Sequence, residues 1–222
     1  MKITRTRNGL FAGLLALAAV AALLQPIGAA AQSSDPLSRE SILRDPAAPT
    51  TGNPKGDLTI VEWFDYQCPY CKKMNPDLLK VVKADGHIRL VFKDWPVFGK
   101  VSVQAARLVL AAKYQGKYVQ AHDALMAIRG KLSADMIVPA LAKAGIDTAR
   151  AERDLVTHKK AIDALLARNQ AQALGLGFRG TPGFVIGHFR VPGAFSAATL
   201  RAVIKDARAA LKKEKKGNKP AK

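Results

Sequence analysis

The stretch that most constrains this chain runs from Thr59 to Pro76 and reads T-I-V-E-W-F-D-Y-Q-C-P-Y-C-K-K-M-N-P. Its first six residues are β-branched or aromatic and apolar on both faces apart from Glu62, the pattern of a strand covered on both sides of a sheet. A turn follows, then Cys68-Pro69-Tyr70-Cys71 and a segment that reads as a helix. Cys68 therefore stands at a strand-to-helix junction. There it meets unpaired backbone N–H groups and the positive end of the helix dipole, both of which favour thiolate over thiol. Pro69 suits the first helical position, where no N–H is needed. Cys71, one turn further in, is expected to be more buried and to act as the resolving thiol.

A Cys-x-x-Cys loop is too short to constrain an unfolded chain much, so it is better suited to opening and closing than to stapling. A zinc site would need more ligands, and the chain has only two cysteines and no His-x-His partner at ligand spacing. Soft sulfur also suits copper(I), which keeps a two-thiolate metal site as an alternative. With 222 residues the chain can bury a substantial core, so a small disulfide-stapled scaffold is excluded.

The N-terminus places Lys2, Arg5 and Arg7 before an apolar run from Leu10 to Leu24, then Ala29-Ala30-Ala31. This is the layout of a secretory signal over residues 1–31, with cleavage after Ala31 and a periplasmic, soluble product. Fifteen apolar residues fall short of the roughly 20 needed for an uncleaved anchor. In an oxidising compartment a Cys-x-x-Cys meets other chains whose thiols need pairing. The net charge of +18 falls to +15 without those three cations, and six lysines between Lys212 and Lys222 against Glu214 supply +5 of it. The expected state of residues 214–222 is a solvated, disordered tail, with an anionic membrane surface as the functional alternative. No basic-aromatic surface motif accompanies the charge, so nucleic acid is not an expected partner.

Residues 32–56 are rich in Pro, Ser, Asp and Gly and read as a leader lying along the domain, with one short helix around Ser38 to Leu43. The cysteine helix continues past Pro76, which should kink it, to Asp85-Gly86. A second strand is expected over Ile88 to Phe92. Residues 100–174 then turn alanine-rich and helix-periodic. Ser102 is expected to cap a helix running to Gln115, Tyr118 to Arg129 forms the next, and Ser133 and Asp147 or Thr148 open two more. A fifth runs to Gly175. Leu108, Ala111, Ala112, Ile162, Leu165 and Leu166 recur at helical spacing and are core candidates. A hairpin follows, Phe184 to Ile186 and Phe189 to Val191 about Gly187-His188, and Ser196 caps a last helix to about Lys213. Strand, helix, strand, helical block, hairpin and helix together make an α/β fold with an inserted all-helical domain. The sheet domain is discontinuous, 57–99 and 175–213.

Gly175 to Gly180 matches G-x-G-x-x-G, but a helix precedes it and a strand follows, the reverse of a dinucleotide site. Its glycines let the chain turn back into the sheet. Glu62, if buried beneath the cysteines, would have a raised pKa and could accept the Cys71 proton. His87, His122, His158 and His188 lack ligand or triad spacing and read as structural or surface residues.

The strand Val61 to Phe64, Cys68-Pro69-Tyr70-Cys71, Pro76, the helical block and Thr181-Pro182 before a hairpin together resemble the DsbA family of exported thiol-disulfide oxidoreductases. The resemblance covers about residues 57–211. It implies a thioredoxin-like fold interrupted by a helical domain, Cys68 as nucleophile and Cys71 as resolving thiol. It further implies Thr181-Pro182 as a cis bond pairing with substrate beside the disulfide, and Glu62 at the family's buried acid position. Pro69 and Tyr70 would tune the pair, and no cofactor is implied. Strongly oxidising members carry histidine where Tyr70 stands and commonly valine where Thr181 stands, so this chain departs from them where the potential is set.

The expected function is a monomeric periplasmic oxidoreductase that exchanges its Cys68–Cys71 disulfide with unfolded or misoxidised exported proteins, most simply as an oxidant. A membrane redox partner would reset it. A disulfide isomerase, a reductase or a copper-stress relative of the same fold is the alternative within the class. A copper(I)-binding module and a peptide-binding chaperone are the alternatives outside it.

Overall fold

The structure is a computed structural model describing residues 35–217. The expected signal over residues 1–31 and the end of the lysine-rich tail, from residue 218, lie outside the described residues.

Five strands form one mixed sheet. They are β1 (Thr50–Gly52), β2 (Leu58–Phe64), β3 (Ile88–Asp94), β4 (Gly183–Ile186) and β5 (Phe189–Pro192), in spatial order β1-β3-β2-β4-β5. β2 is central, parallel to β3 and antiparallel to β4, so that Glu62 stands opposite Phe92 on one side and Phe184 on the other. Every residue of β2 is buried, as its two-faced apolar pattern requires. Side chains alternate across a strand, so Ile60, Glu62 and Phe64 share one face while Val61 and Trp63 share the other.

The first face packs against helices α2 (Pro69–Asp85) and α8 (Ala197–Gly217) through Cys71, Met74, Leu78, Leu200 and Ile204. The second is closed by Ile42 and Leu43 of α1 (Arg39–Leu43), by Ala173 and by Phe178, whose ring lies 5.5 Å from that of Trp63. Each such fully buried large side chain contributes roughly 1.5–3 kcal/mol relative to exposure. Between β3 and β4 run α3 (Lys100–Ala112), a short 3₁₀ turn, α4 (Tyr118–Met126), α5 (Ala134–Lys143), α6 (Thr148–Thr157) and α7 (Lys159–Gly175). Leu108, Ala111, Ala112, Ile162 and Leu165 are buried in the core, as their spacing predicts, while Leu166 is half-buried against it.

Several expectations shift in position. Ser102 does not cap a helix: the N-cap of α3 lies three residues earlier, at Gly99, and the Ser102 hydroxyl donates instead to Asp65 Oδ1 at 2.7 Å. β3 extends through Lys93 and Asp94 because each finds a buried partner, Asp45 at 2.8 Å and the Tyr118 hydroxyl at 2.7 Å. α4 stops at Met126 rather than Arg129, and α8 continues to Gly217, past the point where the tail was expected to begin. The leader does more than lie along the domain. Its β1 adds an antiparallel edge strand, Thr50 opposite Val91, and its Asp45 pairs with both Lys93 and Arg168.

α2 runs through Pro76 to Asp85, where Gly86 takes the left-handed conformation (φ 70°) that a helix terminus favours. Gly183, the first residue of β4, has a packing reason. A Cβ on Gly183 would sit 2.8 Å from the Phe178 ring, so only glycine lets that ring close over Trp63.

Candidate active site

The site forms where β2 hands over to α2 and where β4 begins beside it. The register opposes Trp63 with Gly183, which brings the segment before β4 against the turn after β2. That segment contains a cis peptide bond, Thr181-Pro182. Cys68 is the N-cap of α2, Pro69 takes its first turn, and the Cys68 sulfur accepts the Cys71 N–H at 3.4 Å. On the other side the Cys68 S–H donates to the Thr181 carbonyl at 3.2 Å. Both cysteines are thiols here, and both are buried.

Their acidities are driven apart. The hydrogen bond with the Cys71 side chain is the largest influence on Cys68. With the Thr181 side chain and the backbone amides of Cys71 and Tyr70, it outweighs burial and lowers the thiol to about 6. Tyr70 thus acts through its backbone, since its side chain is 63% exposed. The Thr181 hydroxyl is buried and makes no hydrogen bond while Cys68 is a thiol, which leaves it ready to donate once the sulfur is charged. Burial, then the hydrogen bond to Cys68 and the charge of Glu62, push the Cys71 thiol far above its ordinary range.

Glu62 lies on the sheet face that carries α2 and therefore Cys71. It is 1% exposed, and neither carboxylate oxygen has a hydrogen-bond partner. Its strand neighbours Phe92 and Phe184 offer none, so desolvation first, and the Cys68 charge second, raise it to about 8. At neutral pH it is mostly a neutral acid next to a buried thiol.

One group at the site escapes a reading of the sequence. The Asp65 carboxylate accepts four hydrogen bonds, from the N–H groups of Gln67 (2.7 Å), Val97 (2.6 Å) and Phe98 (3.0 Å) and from the Ser102 hydroxyl (2.7 Å). The Gln67 amide donates to Phe98 O and Ser102 Oγ at 2.9 and 3.0 Å. Together they tie the turn before Cys68 to the loop before α3, where Val97 and Phe98 remain exposed. The bond to Gln67 is an Asx turn, for which Asp65-Tyr66-Gln67 was a legible signal. No spacing rule links Asp65 with residues some thirty positions on.

The histidines hold no chemistry at this site. His122 is fully buried, bonds Tyr66 and Asn75, and is held neutral by burial, which lowers it to about 3. His158 stacks on Tyr114 at 3.6 Å, and His188 contacts Arg39 and Glu214. Among the described residues no group of three or more His, Cys, Asp or Glu side chains could hold a metal ion.

Residues 59–205 match the DSBA-like thioredoxin domain family. The structure resembles that of a thioredoxin-like oxidoreductase from Silicibacter pomeroyi, with a TM-score of 0.74 and 41% identity over 78% of this chain and 98% of that one. It also resembles the thiol-disulfide exchange protein alpha-DsbA2 of Wolbachia pipientis, with a TM-score of 0.71 and 27% identity over 75% and 90%. The catalytic domain of Proteus mirabilis ScsC matches with a TM-score of 0.68 and 27% identity over 77% and 94%. Curated relatives matched by sequence include the Na(+)/H(+) antiporter NhaA 1 of Salinispora arenicola, 26% identical over 161 residues, which make up 70% of this chain. The chain spans only about a quarter (24%) of that antiporter's length, and no described helix is long and apolar enough to cross a membrane. With this sheet order, helical block and cysteine turn, the chain belongs to the DsbA-like thioredoxin-domain family of thiol-disulfide oxidoreductases.

Proposed function

We propose that the protein exchanges a Cys68–Cys71 disulfide with cysteines of exported proteins, acting as an oxidant of moderate strength. The observation that carries this is the division of labour within one helical turn. Cys68 is an acidic thiol at the helix start, and Cys71 is a buried weak acid on the sheet face of Glu62. In the oxidising direction a substrate thiolate attacks Cys68 Sγ, forming a substrate–Cys68 bond and breaking the Cys68–Cys71 bond. The electron pair goes to Cys71, which takes the proton that Glu62 carries. A second substrate thiolate then attacks the substrate sulfur of the mixed disulfide. A substrate disulfide forms and Cys68 leaves as a stable thiolate. In the reverse direction Glu62 accepts the Cys71 proton.

The backbone of Thr181 supports a further role. Its carbonyl already accepts from Cys68, and an extended substrate can pair with the same segment as an added strand. Pro182 follows Thr181 in that segment, and Pro69 opens α2 after Cys68.

Magnitudes bear on the direction of exchange. A tenfold change in thiolate stabilisation is about 1.4 kcal/mol, or about 30 mV for a two-electron couple. With Cys68 near 6 instead of its ordinary 9, the reduced form gains at pH 7 about one such step, on the order of 30 mV. That is a modest push toward oxidant. A second reading, isomerase or reductase, is favoured by the exposed Tyr70, which brings no cation between the cysteines. Export rests on the signal-like residues 1–31. A membrane partner would reset the pair.

The test is to equilibrate the protein with glutathione and measure the potential, and in parallel to follow disulfide formation in a reduced unfolded substrate. Substrate oxidation with stoichiometric reduction of Cys68–Cys71 supports the oxidant. Scrambled-disulfide rescue only by the reduced protein supports the isomerase. Absence of any exchange removes both.

A further inference from the structure

Beside the cysteine turn, between α2 and the chain that follows α4, lies a groove of about 600 Å³. Gln67 and Pro69, the immediate neighbours of Cys68, form its near end. Met126 and Ile128 give it an apolar wall, and Lys72, Lys73, Arg129 and Lys131 place four cations around it with no acidic residue in the lining. Lys72 spans the groove and donates to Gly130 O at 2.9 Å, fixing one wall to the other.

Among the described residues most cations enter no ion pair, and what sets the remaining groove cations apart is that they cluster around one groove whose lining holds no acid. Elsewhere Arg208 pairs with Asp57 and Asp85, and Arg107 and Lys159 share Asp163. Lys73, Arg129 and Lys131 are exposed and enter none of the ion pairs among the described residues. Clustered like charges raise each other's free energy, and a groove between low-dielectric walls concentrates their field. An anion that also offers an apolar side chain would relieve the charges and cover Met126 and Ile128.

We propose that this groove docks the polypeptide segment flanking the cysteine that exchanges with Cys68, and that it selects segments carrying carboxylates beside an apolar residue. The proposal rests on the exchange at Cys68 set out above. A chain crosslinked to Cys68 meets the groove's near end directly, because Gln67 and Pro69 adjoin that cysteine in sequence. Its volume of about 600 Å³ also exceeds what a single small thiol would fill. Exposed charges of this kind add little to stability but change association rates and partner choice.

The experiment uses reduced peptides that differ only in the residues flanking one cysteine: glutamates with a leucine, lysines with a leucine, or neutral residues. The rate at which each reduces the oxidised full-length protein is measured for three proteins. These are the wild type, the groove variant K73E/R129E/K131E, and a control variant K212E/K213E/K216E that removes equal charge from the end of α8. Flanking charge alters the peptide thiol's own acidity, so the readout is the glutamate-to-lysine rate ratio compared between proteins. At low ionic strength the ratio should fall about tenfold or more in the groove variant and narrow with added salt, while the control retains most of it. Equal ratios in wild type and groove variant would overturn the proposal, and so would a control that lowers the ratio as far as the groove variant does. The neutral peptide separates the two levels of argument. If it reacts equally with all three proteins, the exchange function stands whatever the ratio, and if it reacts with none, the exchange function fails and the docking proposal with it.

Discussion

Cys68 and Cys71 are separated by a single helical turn, yet they occupy opposite chemical regions. Around Cys68 the groups are donors. The Cys71 thiol and N–H, the Tyr70 amide and the Thr181 hydroxyl all favour a charged sulfur. Around Cys71 there is burial and an acid without partners, and both oppose charge. The difference shows that the helix N-terminus alone does not make a redox pair. A dipole favours anions only within its first turn, and the sheet beneath that turn decides which thiol holds the proton.

The sharpest way to break this contrast is to remove each sulfur in turn. Cys68→Ser should reduce exchange to background, whereas Cys71→Ser should accumulate mixed disulfides through Cys68, visible as crosslinked species on non-reducing gels. Alkylation of the reduced protein at about pH 6 should label Cys68 at least about a hundredfold faster than Cys71. Faster labelling of Cys71 would reverse the assignment.

The next largest effect concerns Glu62. Glu62→Gln keeps the shape but cannot take or give the proton, and the step that uses Cys71 should slow by about 10²-fold. The same variant tests the buried charge thermodynamically. Glu62 is raised from 4.5 to about 8 in the fold, so the native state binds the extra proton between those values and stability falls as pH rises through that window. The full loss is on the order of 5 kcal/mol. Glu62→Gln should remove the fall due to Glu62, and the slope that remains should combine Asp94, raised by burial to about 7, which lowers stability as pH rises, with His122, lowered by burial from 6.5 to about 3, which raises it up to about pH 6.5. Cys68 has the opposite sign. Lowered from 9 to about 6, it adds stability to the reduced protein as pH rises from 6 to 9, an effect the disulfide form lacks. Denaturation of oxidised and reduced protein across pH 5 to 9 would expose both slopes. Identical pH profiles for wild type and Glu62→Gln would remove Glu62 from the site.

Asp65 should matter for a different reason, since it holds the frame around the sulfur. Asp65→Ala strands the Val97 and Phe98 N–H groups and the Ser102 hydroxyl, and should cost about 2–4 kcal/mol, with Ser102→Ala costing about 1 kcal/mol. Amide hydrogen exchange at Val97 and Phe98 should quicken in both variants while β2 stays protected. Unchanged exchange there would mean that the loop is held by something other than Asp65.

The parts of this molecule legible in its sequence are those encoded by short-range pattern. β2, with apolar residues on both faces, announces a central strand, and Gly86, Asp147 and Ser196 mark helix ends where they are found. The hairpin about Gly187-His188 reads equally well. Long-range partnerships are less visible. Ser102 has the form of a cap, but its hydroxyl is claimed by Asp65, 37 positions away, and nothing within one turn of Ser102 records that. β1 is three residues long, too short for any periodicity, and exists because β3 offers it an edge. Lys93 and Asp94 look like the polar end of a strand, but distant Asp45 and Tyr118 draw them inside. At the site, spacing locates the two thiols and the strand acid. The family resemblance was needed to bring Thr181-Pro182 to them.

The smallest expected effect lies on the Cys68 side, at Thr181, where a single hydroxyl can be removed without changing side-chain shape. In the thiol form that hydroxyl is idle and the Thr181 carbonyl holds the Cys68 proton. When the proton leaves, the carbonyl loses its donor and faces a negative sulfur, and the hydroxyl becomes the compensating donor. Thr181→Val deletes the compensation and keeps the carbonyl, so the Cys68 titration followed by thiolate absorbance should move upward by up to about one pH unit. The potential should then fall by up to about 30 mV, making the pair a weaker oxidant. Thermal stability should change little, or rise slightly, because a buried hydroxyl without a partner is removed. Thr181→Ser, which restores the donor, should return the titration to the wild-type position. If Val and Ser variants titrate alike, the hydroxyl plays no part and the acidity of Cys68 comes from Cys71 and the helix start alone.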